Sequence, residues 1–419
     1  MDRSPLSSLP LTIDGEALWR RLQELATFGA RSDGGVDRPA LSATERAARR
    51  RLIEWADALG ATSHIDPAGN MFFRRAGIDD LDPVLFGSHI DSQPNGGRYD
   101  GAYGVVAGFA LLEAAARAQL VHARPIEVVV WNNEEGSRYS PGAMGSALFA
   151  GQIGLDALRD VQDADGLRFA DELEATIADA KAAGARERKL GFPVHAFIEP
   201  HIEQGPILER EGLPVGIVDG IQGLRWYRVT VHGSSAHAGT TPRAARRDAF
   251  VGAAELAAAL RAPTIDSEDA VRFTIGRFRV FPGSPNTIAE RAEFSVDLRH
   301  NDDALLTSLD EVFTELAQRS WSGCSVEMER VMTLSPVSFD ERVIGLLEQG
   351  ARTSGRSYRR MTSGAFHDAT HMASLCPTAM VFIPCAAGIS HNPLERIEPH
   401  DALAGAEVAI AAIVALAQS

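Results

Sequence analysis

VLFGSHID (84–91), VVAGFALLEAAA (105–116) and IEVVVWNNEEG (126–136) follow one another along the chain. The first and third are short runs rich in β-branched and aromatic residues, and the second is a nearly all-apolar stretch of helical length. Strand, buried helix and strand in that order are the rhythm of an α/β layer with a largely parallel sheet. Further out, apolar positions at helical spacing predict amphipathic helices over 17–28 and 43–59 and a helix near 340–353, and MVFIP (380–384) reads as another buried strand.

From Leu213 the pattern changes. Tyr227, Val229 and Val231 alternate with polar neighbours, as do Ala292, Phe294, Val296 and Leu298, and an Ala-rich helical stretch (248–260) lies between them. Half-buried strands around a helix predict a small α+β domain whose sheet has one face in solvent. The chain has 419 residues, beyond the size at which one core keeps growing. The expected division is therefore 1–212 with 331–419 as one α/β domain, and 213–330 as a domain inserted into it. The polar, Ala-rich stretch 180–189 reads as a helical surface or connection.

Composition removes several function classes. With 41 Lys+Arg against 56 Asp+Glu and a formal charge of −15, a general electrostatic grip on nucleic acid or anionic lipid is disfavoured. The three cysteines, Cys324, Cys376 and Cys385, lack CxxC spacing, so neither a disulfide framework nor a thiolate zinc site is suggested and a reducing cytoplasm fits. The N-terminus, MDRSPLSSLPLTIDGEALWRR, has no apolar core of signal-peptide length, and no stretch is expected to reach the ~18 apolar residues of a membrane span. A soluble, cytoplasmic protein is expected.

The chemistry sits where apolar segments end. Glu134 and Glu135 close the 126–131 run, at the carboxyl edge where open α/β sheets place their sites. Neighbouring side chains of an extended chain leave on opposite sides, so one glutamate can bind metal while the other faces an attacking water. In His89-Ile90-Asp91, alternate residues point the same way, and Asp91 can orient the His89 imidazole. Asp100 follows a Gly-Gly turn at the mouth of the 105–116 helix, and His201 and His391 also stand at the ends of apolar segments. Each of these alone is an ordinary cap, loop acid or structural histidine. Together they form a His/Asp/Glu set of the kind that holds two divalent metals beside a general base.

GSHIDSQPNGGRYDGAYGV (87–105), NNEEGSRYSPGAMGS (132–146), EPHIEQGPILE (199–209), AHAGTTP (236–242), FPGSPNTI (281–288), VDLR (296–299) and GISHNP (388–393) carry a closer likeness. In these motifs the chain resembles the hydantoinase/carbamoylase branch of the M20 amidohydrolases, which includes N-carbamoyl-L-amino-acid hydrolases, β-ureidopropionases and allantoate amidohydrolases. The resemblance implies an α/β two-domain M20-type metallohydrolase, with a mixed, largely parallel sheet, helices on both its faces and an inserted α+β dimerisation or lid domain. It implies two divalent ions (Zn, Mn, Co or Ni), with Asp100 bridging, His89 and His201 completing one ion, Glu135 and His391 the other, and Glu134 as general base.

From the inserted domain the resemblance implies His237 as oxyanion donor and Arg299 as carboxylate clamp. Asn286 and Gln204 position polar groups of the substrate, and Ser363 and Gly364 lie in a closing loop. His367 and Asp368 follow as supporting residues. The chain departs from the family at Phe366, where Gly is usual, and at Arg243, where Met is commoner; a phenyl ring in that loop is expected to narrow or reshape the pocket. The implied reaction is hydrolysis of the linear C–N bond of an N-carbamoyl amino acid or related ureido acid, releasing ammonia and carbon dioxide. A homodimer is implied, in which the partner chain can donate His237 or Asn286, with the two domains closing over a small-molecule substrate. An M20 aminoacylase or dipeptidase is the rival reading among enzymes, and a catalytically inactive metal- or ligand-binding homologue is the rival outside them.

Overall fold

The computed structural model describes residues 11–267 and 270–419. The chain divides into two compact units, one running to Asp219 and resuming at Ser338, the other spanning Gly220–Val337.

In the larger unit a ten-stranded sheet is built on four adjacent parallel strands, Thr378–Ile383, Ala196–Ile202, Val84–His89 and Ile126–Trp131. Met71–Arg75 extends it antiparallel on one side and Val215–Ile221 on the other, so the sheet is mixed with a parallel centre. Every residue of the four central strands is buried, as expected when both faces of a parallel sheet are covered. Helix Ala102–Arg117 packs on three of them and links Val84–His89 to Ile126–Trp131. In the core, Trp131 meets the rings of Phe72, Phe149 and Phe197 edge-on. Glu127, in the middle of the apolar run, is fully buried and tolerated there because Arg74 (2.6 Å) and Arg188 (2.5 Å) hold its two oxygens.

The register sets the carboxyl ends of the four strands level: His89 lies opposite Trp131, and His201 opposite Phe382. The loops that leave these ends carry the candidate residues. Gly101, which starts helix Ala102–Arg117, has φ +63°, and a Cβ there would lie 2.4 Å from the His89 ring. Both conformation and space therefore require glycine.

In the smaller unit, strands Arg272–Thr274, Arg291–His300, Gly223–His232 and Ser325–Leu334 pair in that order, with Phe278–Phe281 also on Arg291–His300. Tyr227, Val229, Val231, Phe294, Val296 and Leu298 form its core with Leu256, Leu260, Leu306 and Phe313 from helices Ala249–Arg261 and Asp303–Ala317. Trp226 and Arg228, on the alternate positions, are exposed. A two-stranded ribbon pairs Ala236–His237 with Thr287–Ile288.

Three expectations need correction. The unit boundaries fall about seven residues later than periodicity placed them, because Val215–Ile221 pairs with Thr378–Ile383 in the large sheet and Ser325–Leu334 stays paired with Gly223–His232 to its end. The stretch 180–189 is the end of helix Phe169–Ala182 followed by an edge strand, Arg186–Glu187, parallel to Thr62–Ile65. Helix Pro399–Ala417 is, contrary to expectation, long and apolar enough to cross a membrane by length and composition, with mean hydropathy 1.6. It is mostly buried, packed on Thr378–Ile383 and helix Glu341–Thr353. The N-terminal leader reading covers residues 1–21, of which 1–10 lie outside the described residues.

Candidate active site

At the carboxyl edge of the parallel strands, two groups of ligand atoms converge on one side chain. His89, Asp100 and His201 offer atoms within 4.8 Å of one another, and so do Asp100, Glu135 and His391. Asp100 Oδ1 is 3.0 Å from His201 Nε2 and 3.9 Å from His89 Nε2, while Asp100 Oδ2 is 3.1 Å from His391 Nε2. Glu135 Oε2 lies 3.3 Å from His391 Nε2, and Glu134 Oε2 lies 3.5 Å from His89 Nε2. The adjacent glutamates thus serve different histidines, with Glu134 outside both ligand groups.

The hydrogen bonds of the rings test whether cations fit here. His201 Nδ1 sits 2.9 Å from the Ile202 carbonyl, and His89 Nδ1 sits 3.0 Å from the Asp91 carbonyl. A carbonyl only accepts, so both Nδ1 atoms carry hydrogen and each Nε2 of a neutral ring presents a lone pair. The Gly101 N–H reaches the His201 lone pair at 3.2 Å; the His89 lone pair and the Asp100 carboxylate facing it still repel unless a positive charge lies between them. A divalent ion with nitrogen and oxygen donors fits that arrangement.

Titration behaviour expresses the same demand. Burial alone would depress His89, yet Glu134, Asp91 and Asp100 hold it well above the usual imidazole range; His201 is raised by Asp100 against the same penalty. His391 is raised to about 9 by its bond to Asp100. Asp100 lies well below the carboxylate range despite burial, because His201 and His391 bond to it. Burial pushes Glu134 well up, with Asp368 and Glu135 adding to it, and pushes Glu135 to about 7. The buried acids and the raised imidazoles both call for compensating positive charge among them.

Asp91 departs from its expected part. Its carbonyl is the nearer partner of His89, while its carboxylate, 3.5 Å from that ring, accepts the backbone N–H groups of Glu134 and Glu135 at 3.2 Å each. It therefore fixes the acid pair as well as facing the imidazole. Gln204 donates to Asp100 Oδ2 (2.9 Å) and Ser390 Oγ (3.1 Å), so its amide is engaged with the shared carboxylate. Ser363 is buried and its hydroxyl lies 3.0 Å from His367 Nε2; Gly364 is exposed. The His367 ring meets the His201 ring edge-on at 4.6 Å. Asp368 is buried and bonded by Ser146 Oγ. Phe366 is half-buried, edge-on to His371.

Sequence reasoning passed over Glu199 and Glu395. Glu199 accepts Ser88 Oγ (2.7 Å) and the Ala369 N–H (2.8 Å) behind His201. The signal was available: an acid inside a wholly buried strand, two residues before a candidate ligand. Glu395 accepts the N–H groups of Tyr99 and Asp100, and nothing in its local sequence marks it.

The remaining candidates lie in the smaller unit. His237 and Asn286 adjoin on the ribbon, where the Ala238 N–H donates to the Asn286 carbonyl. His237 Nδ1 accepts the N–H groups of Gly239 (3.1 Å) and Thr240 (3.2 Å), so its hydrogen sits on Nε2 in the neutral ring. Asn286 Oδ1 accepts Ser284 Oγ at 2.7 Å. Arg299 bonds Asp297 with both Nε (3.0 Å) and a terminal nitrogen (2.8 Å). Arg243 is exposed in a short turn.

Known proteins resemble this chain over nearly its whole length. The model of peptidase family M20/M25/M40 matches residues 85–415. The N-carbamoyl-L-amino acid amidohydrolase of Geobacillus stearothermophilus is 37% identical over 412 residues, 97% of this chain and 99% of the relative. The allantoate amidohydrolase of Escherichia coli (strain K12) is 32% identical over 93% of this chain and 95% of its own length. Among solved structures, a hydantoinase/carbamoylase family amidase from Burkholderia multivorans superposes with TM-score 0.91 at 40% identity, covering 98% of this chain and 99% of its own.

Proposed function

The chain belongs to peptidase family M20/M25/M40, and from that premise we propose that it hydrolyses the linear C–N bond of an N-carbamoyl amino acid or related ureido acid with two divalent ions bound. The observation that carries the reading is Asp100, common to two donor groups, with Glu134 close by in neither. His89, Asp100 and His201 would hold one ion and Asp100, Glu135 and His391 the other. When bound, such ions supply Lewis acidity toward the ureido carbonyl and lower the pKa of water.

The chain's own groups do the rest. Glu134, whose proton affinity is raised by burial, takes the proton of the attacking water and passes it to the leaving nitrogen. The carbamate released falls apart to carbon dioxide and ammonia. His237 donates through Nε2 to the developing oxyanion, a part that suits the tautomer its two backbone donors impose. Arg299, a planar bidentate donor, takes the substrate carboxylate, and Asn286 with the Ser363–Gly364 loop positions the substrate's remaining groups. Gln204 keeps a positioning part through Asp100. A homodimer through the smaller unit is supported by its exposed Phe250, Val251 and Phe278.

The test is ammonia release from N-carbamoyl-L- and D-amino acids, N-carbamoyl-β-alanine and allantoate by apo-protein reloaded with defined metals. Turnover of at least one with metal, and none without, is expected. Silence on all of them with turnover of N-acetyl amino acids or dipeptides would transfer the chain to the aminoacylase reading. Sedimentation of the active enzyme as a monomer would remove the dimer.

A further inference from the structure

Asp100 sits in a turn, between Gly97 and the positive-φ Gly101. What holds the amides around it therefore sets where its carboxylate stands. We propose that Glu395 is a positioning residue that fixes Asp100 for both donor groups, and that Gly97 is the position that leaves room for it. The inference rests on the dimetal reading above.

Glu395 is only 4% exposed. Its Oε1 accepts the Tyr99 N–H at 2.7 Å and the Asp100 N–H at 3.1 Å. Its Oε2 lies 3.2 Å from Ser390 Oγ, which is 2.9 Å from Asp100 Oδ2. One carboxylate thus reaches the backbone of Asp100 directly and its side chain through one hydroxyl. Glu395 also shares a loop with His391, so the same contacts tie the loop of one ligand to the loop of another.

Space supports the assignment. A Cβ on Gly97 would lie 2.0 Å from the Glu395 carboxyl carbon and 2.1 and 2.3 Å from its oxygens. The φ of Gly97 lies outside the left-handed region, so the room it leaves, and not its conformation, calls for glycine.

The chemistry separates two replacements. Glu395→Gln keeps an acceptor for both amides, and its NH2 can donate to Ser390 Oγ, leaving the serine hydrogen free for Asp100. Glu395→Ala removes every link, and Gly97→Ala displaces the carboxylate by steric contact while residue 395 stays a glutamate. Partners that orient a metal ligand are worth roughly 10–100-fold in affinity.

Chelated wild type and the three variants are titrated with zinc ion alone by calorimetry, with the metal-free Tm of each measured in parallel. Wild type is expected to take up two ions per chain. Glu395→Ala and Gly97→Ala should weaken uptake by about 10–100-fold, and Glu395→Gln should stay within about threefold of wild type. Wild-type affinity in both Glu395→Ala and Gly97→Ala overturns the proposal. So does equal weakening in Glu395→Gln and Glu395→Ala in step with lost metal-free Tm, which is the mark of a merely structural tie. Wild type that binds fewer than two ions removes the dimetal reading, and the proposal with it.

Discussion

The two units carry their candidate residues in opposite ways. In the larger unit His89 and His201 have side chains 1% exposed and Asp100 5%, with His391 the exception at 48%; each of the two buried imidazoles is held by a carbonyl one or two residues on, and Asp100 meets His201 and Gln204 from a distant part of the chain. In the smaller unit His237 and Asn286 are exposed on a two-stranded ribbon, and Arg299 keeps 29% exposure with Asp297 as partner. The first arrangement is locked before any ligand arrives. The second, whose residues are assigned to the substrate, keeps its groups open. The lesson is a division of labour: the buried edge fixes the chemistry, and the exposed face is where the choice of substrate can vary.

The sharpest way to break that division is Glu134→Gln, expected to lower kcat by about 10²–10⁴ with metal content unchanged by atomic absorption. Full turnover would end the general-base assignment. His237→Ala should follow, at about 10²–10³ in kcat, with metal content and Tm near wild type because the His237 side chain is exposed. A large fall in Tm would mean that His237 belongs to the locked class. Arg299→Lys is expected to raise KM by roughly tenfold with kcat nearly kept, since an ammonium cannot make the paired bonds of a guanidinium; an unchanged KM across carboxylate substrates removes the clamp.

The mildest effect concerns pH. In the metal-free protein Glu135 titrates at about 7 against an ordinary 4.5, so the folded state binds more protons than the unfolded one between these values and stability falls as pH rises through them. His391, at about 9 against 6.5, contributes stability that is complete below 6.5 and lost as pH rises through 9. Metal binding competes with these protons and strengthens with pH. The difference in Tm between zinc-loaded and metal-free protein should therefore widen as pH is raised from about 5 to about 9. A constant difference in scanning calorimetry would mean that neither group gives up a proton to the ion.

Legibility followed the same division. The parallel core could be read because strands buried on both faces are continuous apolar runs, and the candidate donor residues could be singled out because they stand where those runs stop. Val215–Ile221 could not be assigned to the large sheet, since its pattern says nothing about which strand pairs with it. Helix Pro399–Ala417 was misjudged because alanine gives a core helix the length and hydropathy of a membrane span. Glu395 was invisible for a different reason: its partners, Tyr99 and Asp100, lie almost the whole chain away, and only the fold makes them neighbours.

Asp100 belongs to both donor groups, and the two groups therefore cannot be filled independently. A cation held by His89 and His201 would neutralise Asp100 charge that a second cation beside Glu135 and His391 would otherwise meet, and would at the same time fix the shared carboxylate. Whichever influence prevails is a coupling free energy, and linkage makes it reciprocal: the first ion alters the second by the same factor as the second alters the first. On the two-ion reading, metal loading would have a shape as well as an affinity, steeper or shallower than two separate sites would give, and mixed-metal forms would become a property of this one side chain.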